Sequence, residues 1–183
     1  MNKKIKDIVI TSICVVLLAV SAWIKIPLII PISLQNLVLF IILGVFGFKI
    51  SIITIIVYIF SGLIGIPVFS SGVSSLSGLL GITGGYLISF IIYPFIFYLL
   101  QNLHFKNNNI KLFIIFLILT VITYLIGSLW YYVLYINNNE FVLFTEVLSL
   151  TIFPYILPDI IKILISILVI NRIKKIKGLL NNL

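Results

Sequence analysis

The stretch Val147-Leu-Ser-Leu-Thr-Ile-Phe-Pro-Tyr-Ile-Leu-Pro-Asp-Ile-Ile-Lys-Ile-Leu-Ile-Ser-Ile-Leu-Val-Ile170 decides the reading of this chain. A helix that crosses a bilayer needs about 20 mostly apolar residues, and this segment supplies them. Apart from Tyr155, its only ionisable residues are Asp159 and Lys162. A charge at membrane depth costs about 2.5–3.5 kcal/mol on insertion scales, so such a residue marks a functional site by default. At positions i and i+3 the two side chains share one helix face. Counting inward from Arg172 at about 1.5 Å per residue, Asp159 lies about 20 Å from the boundary on the Arg172 side. In a core about 30 Å thick that is the far half. Pro158 lacks an N–H and displaces the carbonyl of Pro154, and Pro154 does the same to Leu150. Backbone freed in this way is tolerated where it lines a cavity or is buried in protein. The spacing therefore predicts two charges and an unpaired acceptor on the wall of an outward-facing cavity. The plain alternative is a self-satisfied pair that only locks helix packing.

The rest of the chain agrees with a membrane setting. Of 183 residues 62% are hydrophobic and 9% charged, and the mean hydropathy is +1.35. Soluble domains are nearer 45–50% apolar and about 25% charged. One cysteine, Cys14, and one histidine, His104, exclude a disulfide framework and argue against a Cys/His metal cage. Apolar runs predict six spans, at about 8–24, 34–47, 50–64, 83–101, 112–136 and 147–171, in one integral-membrane domain over 1–183. The second and third come from one long run dented at Gly44, Gly47 and Lys49. The formal net charge of +8 is placed unevenly. Lys3, Lys4, Lys6, Lys49, Lys106, Lys111, Arg172, Lys174, Lys175 and Lys177 fall on one side of this topology. Lys25, Glu140 and Glu146 fall on the other. The positive-inside rule then puts both termini in the cytoplasm, and nucleic acid is not needed to explain the basic residues. Lys3-Lys4-Ile-Lys6, an apolar run and Val20-Ser21-Ala22 also resemble a signal peptide. Cleavage there would leave five spans and break the charge pattern, so the run is read as the first span.

Two further constellations stand out. Gly62-Leu-Ile-Gly65-Ile-Pro67-Val-Phe69-Ser-Ser-Gly72 continues to Gly81-Ile-Thr83-Gly84-Gly85-Tyr86. Glycines such as Gly72, Gly84 and Gly85 let backbone approach a ligand or another helix, with Phe69 and Tyr86 as aromatic walls. The alternative is a loop with ordinary turn chemistry. No Gly-Lys-Ser/Thr occurs, so a P-loop is absent. The second is Pro27-Leu-Ile-Ile-Pro31-Ile-Ser33-Leu-Gln35-Asn36. Ser33 reads as a helix cap, while Gln35 is left as a polar side chain at the membrane edge. Trp23, Trp130, Tyr131, Tyr132 and Tyr135 lie near span ends, as interfacial anchors do. Cys14 reads as an inert small hydrophobe. No nucleophile set, carboxylate pair or metal cluster converges.

These elements resemble the BioY family, the biotin-specific substrate-binding (S) subunits of energy-coupling factor (ECF) vitamin transporters. The resemblance covers nearly the whole chain and rests on four segments in order. They are Ile26-Pro27 through Pro31-Ile-Ser33-Leu-Gln35, Gly65-Ile-Pro67-Val-Phe69, Gly81-Ile-Thr83-Gly84-Gly85-Tyr86-Leu87 and Leu157-Pro158-Asp159-Ile-Ile-Lys162. It implies an all-α membrane protein of six helices that captures biotin outside the bacterial cell. It implies no ATPase activity and no cofactor, with energy from a transmembrane coupling subunit and two cytoplasmic ATPases. Asp159 and Lys162 are then expected to meet the ureido group, or Lys162 the tail carboxylate. Gln35, Phe69, Gly72, Gly84, Gly85 and Tyr86 would complete the substrate site. Small residues on the first helix dock the coupling subunit in this family. Here Ser12 and Ala19 remain for that role, with bulkier Val15 and Val16 between them. Readings kept beside this one are an S subunit for another vitamin, a carrier independent of a coupling module, and an intramembrane enzyme or scaffold.

Overall fold

The computed structural model describes residues 2–28, 30–70, 76–137 and 143–180. Its helices are α1 (Lys3–Trp23), α2 (Gln35–Leu63), α3 (Leu76–Leu80), α4 (Gly84–Leu100), α5 (Asn108–Asn137), α6 (Phe144–Thr151) and α7 (Phe153–Leu180). Between α1 and α2 the chain forms a two-stranded antiparallel ribbon of β1 (Lys25–Ile26) and β2 (Ile32–Ser33), with Lys25 opposite Ser33. Among the described residues four stretches are long and apolar enough to cross a membrane. They are α1, α2, α5 and Phe144–Ile176, which joins α6 to α7, and the apolar α4 is shorter.

Helix α2 is two helices in one. Gly47 has φ +71° and ψ −162°, a conformation that only glycine adopts freely. The amide of Gln35 donates to the hydroxyl of Tyr58 at 2.6 Å, although the two lie 23 residues apart. Along a straight helix they would be about 34 Å apart. The arms before and after Gly47 therefore run antiparallel, which makes five long apolar segments and, with the shorter α4, six among the described residues.

The connections sort to two ends of the bundle. Lys49, just past the Gly47 bend, pairs with Asp7 on α1 at 2.9 Å. A Cβ on Gly44 would sit 2.4 Å from Ile170 of α7. Asn171 donates to Asn109 at 2.9 Å, and Lys111 Nζ donates to the carbonyl of Gln101 at 2.7 Å. The start of α1, the bend, the α4–α5 connection and the last turns of α7 thus share one end, which carries most of the basic residues. At the other end Trp23 donates to the carbonyl of Pro67 at 2.9 Å and Lys25 Nζ donates to that of Ser70. There the ribbon, the 64–70 segment and the break between α6 and α7 come together.

A core of buried side chains from α1, α2, α4, α5 and α7 joins these helices. Its centre is a run of rings. Phe40 stacks on Phe116 with centroids 4.5 Å apart, Phe116 faces Phe97 at 6.2 Å, and Phe40 faces Tyr93 at 5.8 Å. Outward-facing positions on α1 are apolar and exposed, Ile13, Val16, Leu17 and Val20 among them, as a lipid-facing surface requires.

Candidate functional site

Asp159 and Lys162 lie on α7 two turns beyond its break from α6 at Ile152, where φ is −119° and ψ −56°. Pro154 and Pro158 follow the break closely, and proline disfavours helical backbone in the residue before it. Lys162 Nζ donates to Asp159 Oδ1 at 2.7 Å, and both residues are buried, 7% and 5% exposed. The second carboxylate oxygen, Oδ2, accepts from the hydroxyl of Tyr124 on α5 at 2.6 Å. The carboxylate is therefore held from both sides. An ammonium carries three donors, and Asp159 is the one protein acceptor that Lys162 meets among the described residues. The pair is electrically neutral yet keeps spare donors. It can accept N–H groups at Asp159 and donate to a carbonyl or carboxylate at Lys162.

This pair faces a cavity of about 60 Å³ at the ribbon end of the bundle. Its walls come from the ribbon with Ile30 to Ser33, the first turn of α2 with Gln35 and Asn36, and Ser70. Thr83 just before α4, Tyr86, Leu87 and Phe90 of α4, and Thr123 and Tyr124 of α5 also line it, with Tyr155, Asp159 and Lys162 of α7. Behind Thr123, Ser89 donates to its hydroxyl at 3.0 Å and the Tyr93 hydroxyl lies 2.7 Å from it. Ser89, Tyr93 and Thr123 are thus tied to one another, as buried polar groups generally are.

The expected site residues separate into groups. Asp159, Lys162, Gln35 and Tyr86 all line the one cavity. Gln35 also has structural partners: its amide reaches Tyr58, its Oε1 accepts from Ser33 at 3.0 Å, and Tyr58 donates to the carbonyl of Val68 at 2.9 Å. Phe69 is not on the wall. It is fully buried, edge-on to Tyr58 with centroids 5.6 Å apart, and its ring lies over Gly62, where a Cβ would come within 2.1 Å. Gly84 and Gly85 serve packing. A Cβ on Gly84 would strike the carbonyl oxygen of Leu79 at 1.7 Å, and one on Gly85 would strike Trp130 at 2.4 Å. Gly72 lies outside the described residues. Trp130 and Tyr131 differ from interfacial anchors. The indole donates to the carbonyl of Gly81 at 3.0 Å, where the α3–α4 turn meets α5, and Tyr131 is 2% exposed.

Tyr124, midway along the fifth predicted span, and Tyr155, noted only as ionisable, are given no site role by the sequence. The usable signal for Tyr155 was its position one turn before Asp159, on the same face. Ser12 is exposed and lines a groove of about 660 Å³ between α1 and the second arm of α2, with Val15, Val16, Ile53 and Val57. Ala19 is half-buried and packs against the core instead.

A model of the BioY family matches residues 1–178. The chain belongs to the BioY family. A probable biotin transporter BioY from Pyrococcus horikoshii is 31% identical over 174 residues, spanning 93% of this chain and 98% of that protein. The biotin transporter BioY of Thermotoga maritima is 28% identical over 174 residues, covering 94% and 98%. The crystal structure at 2.1 Å of the S-component for biotin from an ECF-type ABC transporter superposes with a TM-score of 0.83, 24% identity and coverage of 96% and 95%. The fold of this BioY-family chain is accordingly the S-component fold, an all-α membrane architecture.

Proposed function

We propose that this chain captures biotin from outside the cell as the substrate-specificity subunit of an ECF-type ABC transporter. The observation that carries the reading is the neutral Asp159–Lys162 pair on the wall of a cavity at the end away from most of the basic residues. Biotin's ureido ring offers two N–H donors and one carbonyl acceptor. Asp159, steadied by Tyr124, accepts from an N–H, and a spare donor of Lys162 reaches the carbonyl. Tyr86, Leu87 and Phe90 supply apolar surface for the thiophane ring and the valeryl chain. The relatives named biotin transporters support the same ligand. An analogue without ureido N–H groups leaves buried partners unsatisfied at about 1–3 kcal/mol each, so the site rejects it.

The subunit is a transport component rather than an enzyme, and in this reading it sits in the bacterial plasma membrane with both termini in the cytoplasm. Energy comes from a transmembrane coupling subunit with two cytoplasmic ATPases. The groove beside Ser12 is the docking face, with Ala19 setting how closely α1 lies on the core. Calorimetry on the purified protein tests the substrate: saturable one-to-one binding of biotin is expected. Failure to bind both biotin and desthiobiotin would defeat the proposal.

A further inference from the structure

We infer that Lys25, at the open end of the cavity, recognises the ligand's tail carboxylate and leaves Lys162 to the ureido carbonyl. This rests on the biotin reading above and assigns the end of the ligand that Asp159 and Lys162 do not explain. The argument begins with charge. Asp159 and Lys162 cancel each other, while biotin brings one negative charge. A carboxylate placed on Lys162 Nζ would stand beside Asp159, whose Oδ1 is 2.7 Å from that nitrogen. Two carboxylates sharing one cation in a low-dielectric site repel strongly, and the buried site would be left with an uncompensated charge. The tail therefore needs a second cation.

Lys25 has the required position. It stands on β1 opposite Ser33, a residue of the cavity wall. Its Nζ donates to the carbonyl of Ser70, which lines the same cavity. Two of its three donors remain, and among the described residues it makes no ion pair. The remaining polar residues near the mouth, Ser33, Gln35, Asn36, Ser70 and Thr83, are neutral. Lys49 and Lys111 are committed at the opposite end, to Asp7 and to the carbonyl of Gln101. A long flexible stem lets Lys25 swing its charge between the Ser70 carbonyl and an arriving anion.

The test compares biotin with biotin methyl ester on the full-length protein by calorimetry. Wild type is expected to prefer the acid by about tenfold or more, the usual scale for a charged hydrogen bond. Lys25→Met brings the two ligands to parity with the ester's affinity unchanged, and Lys25→Arg retains the preference. The inference is overturned if Lys25→Met still prefers the acid. A preference absent in wild type, or both ligands weakening equally in Lys25→Met, overturns it too; the last result makes Lys25 a tether for the 64–70 segment only. If wild type binds neither ligand, the biotin reading itself fails.

Discussion

The hydroxyl of Tyr155 holds both backbone polar groups of Ile30, accepting from its N–H at 3.1 Å and donating to its carbonyl at 2.7 Å. The two residues are 125 positions apart. Tyr155 stands one helical turn before Asp159, so the ribbon is pinned to the helix that carries the charged pair. Tyr155→Phe removes both bonds, each worth about 0.5–1.5 kcal/mol. Ligand dissociation is expected to accelerate about tenfold, and Tm to fall by several degrees. Stopped-flow tryptophan fluorescence, with a melting curve beside it, checks both halves of that statement.

Removing one member of the buried pair strands the other. Lys162→Ala is expected to lose ligand binding and also to destabilise the fold by about 3–5 kcal/mol. The double variant Asp159→Leu/Lys162→Met has no stranded charge. It is expected to melt at or above the wild-type temperature while binding nothing. A double variant that still bound biotin would move the site elsewhere.

Tyr86 owes its position to Gly127, where a Cβ would lie 2.3 Å from the centre of the tyrosine's hydroxyl-bearing edge, at Cζ. Gly127→Ala forces the ring to shift, and the ring lines the cavity. Affinity is expected to fall at least tenfold, against an overpacking cost of about 1–3 kcal/mol in stability. Reducing Tyr86 itself to Leu in the Gly127→Ala background recovers the stability. Calorimetry and thermal unfolding of the three variants read this out.

Gly47 makes the opposite prediction. A Cβ there meets nothing within 4 Å, so the penalty of Gly47→Ala is backbone strain alone, about 1–3 kcal/mol. The bend lies at the end of the bundle away from the cavity. The expected variant melts earlier but binds its ligand with wild-type affinity.

What could be read from the sequence followed from energetic conflict. Asp159 and Lys162 are legible because charge in an apolar run needs a reason, and Gly47 is legible because a long apolar run has to turn somewhere. Phe69 was misplaced because its burial depends on Gly62 lacking a side chain, a relation between residues whose meeting no periodicity announces. Gly84 and Gly85 suggested a ligand-facing loop, yet the space they leave is filled by the Leu79 carbonyl and by Trp130. Tyr124 was hidden for a related reason. A tyrosine on a membrane helix looks alike whether it faces headgroups or a carboxylate on another helix, and the partner lies 35 residues away. Gln35 stands out in the sequence as unexplained by capping, and it lines the cavity. The sequence did not show that Tyr58 and Ser33 would also hold it.

The pairing of Asp159 with Lys162 at 2.7 Å has a consequence for voltage. One elementary charge moved across a membrane potential of 100 mV gains or loses about 2.3 kcal/mol. Opposite charges held this close sense almost none of that field, so the pair itself adds no voltage dependence wherever it sits in the bilayer. If Lys25 travels with the anionic tail, the loaded site adds none either. On that reading the membrane potential neither drives the movement of the loaded site nor holds it back.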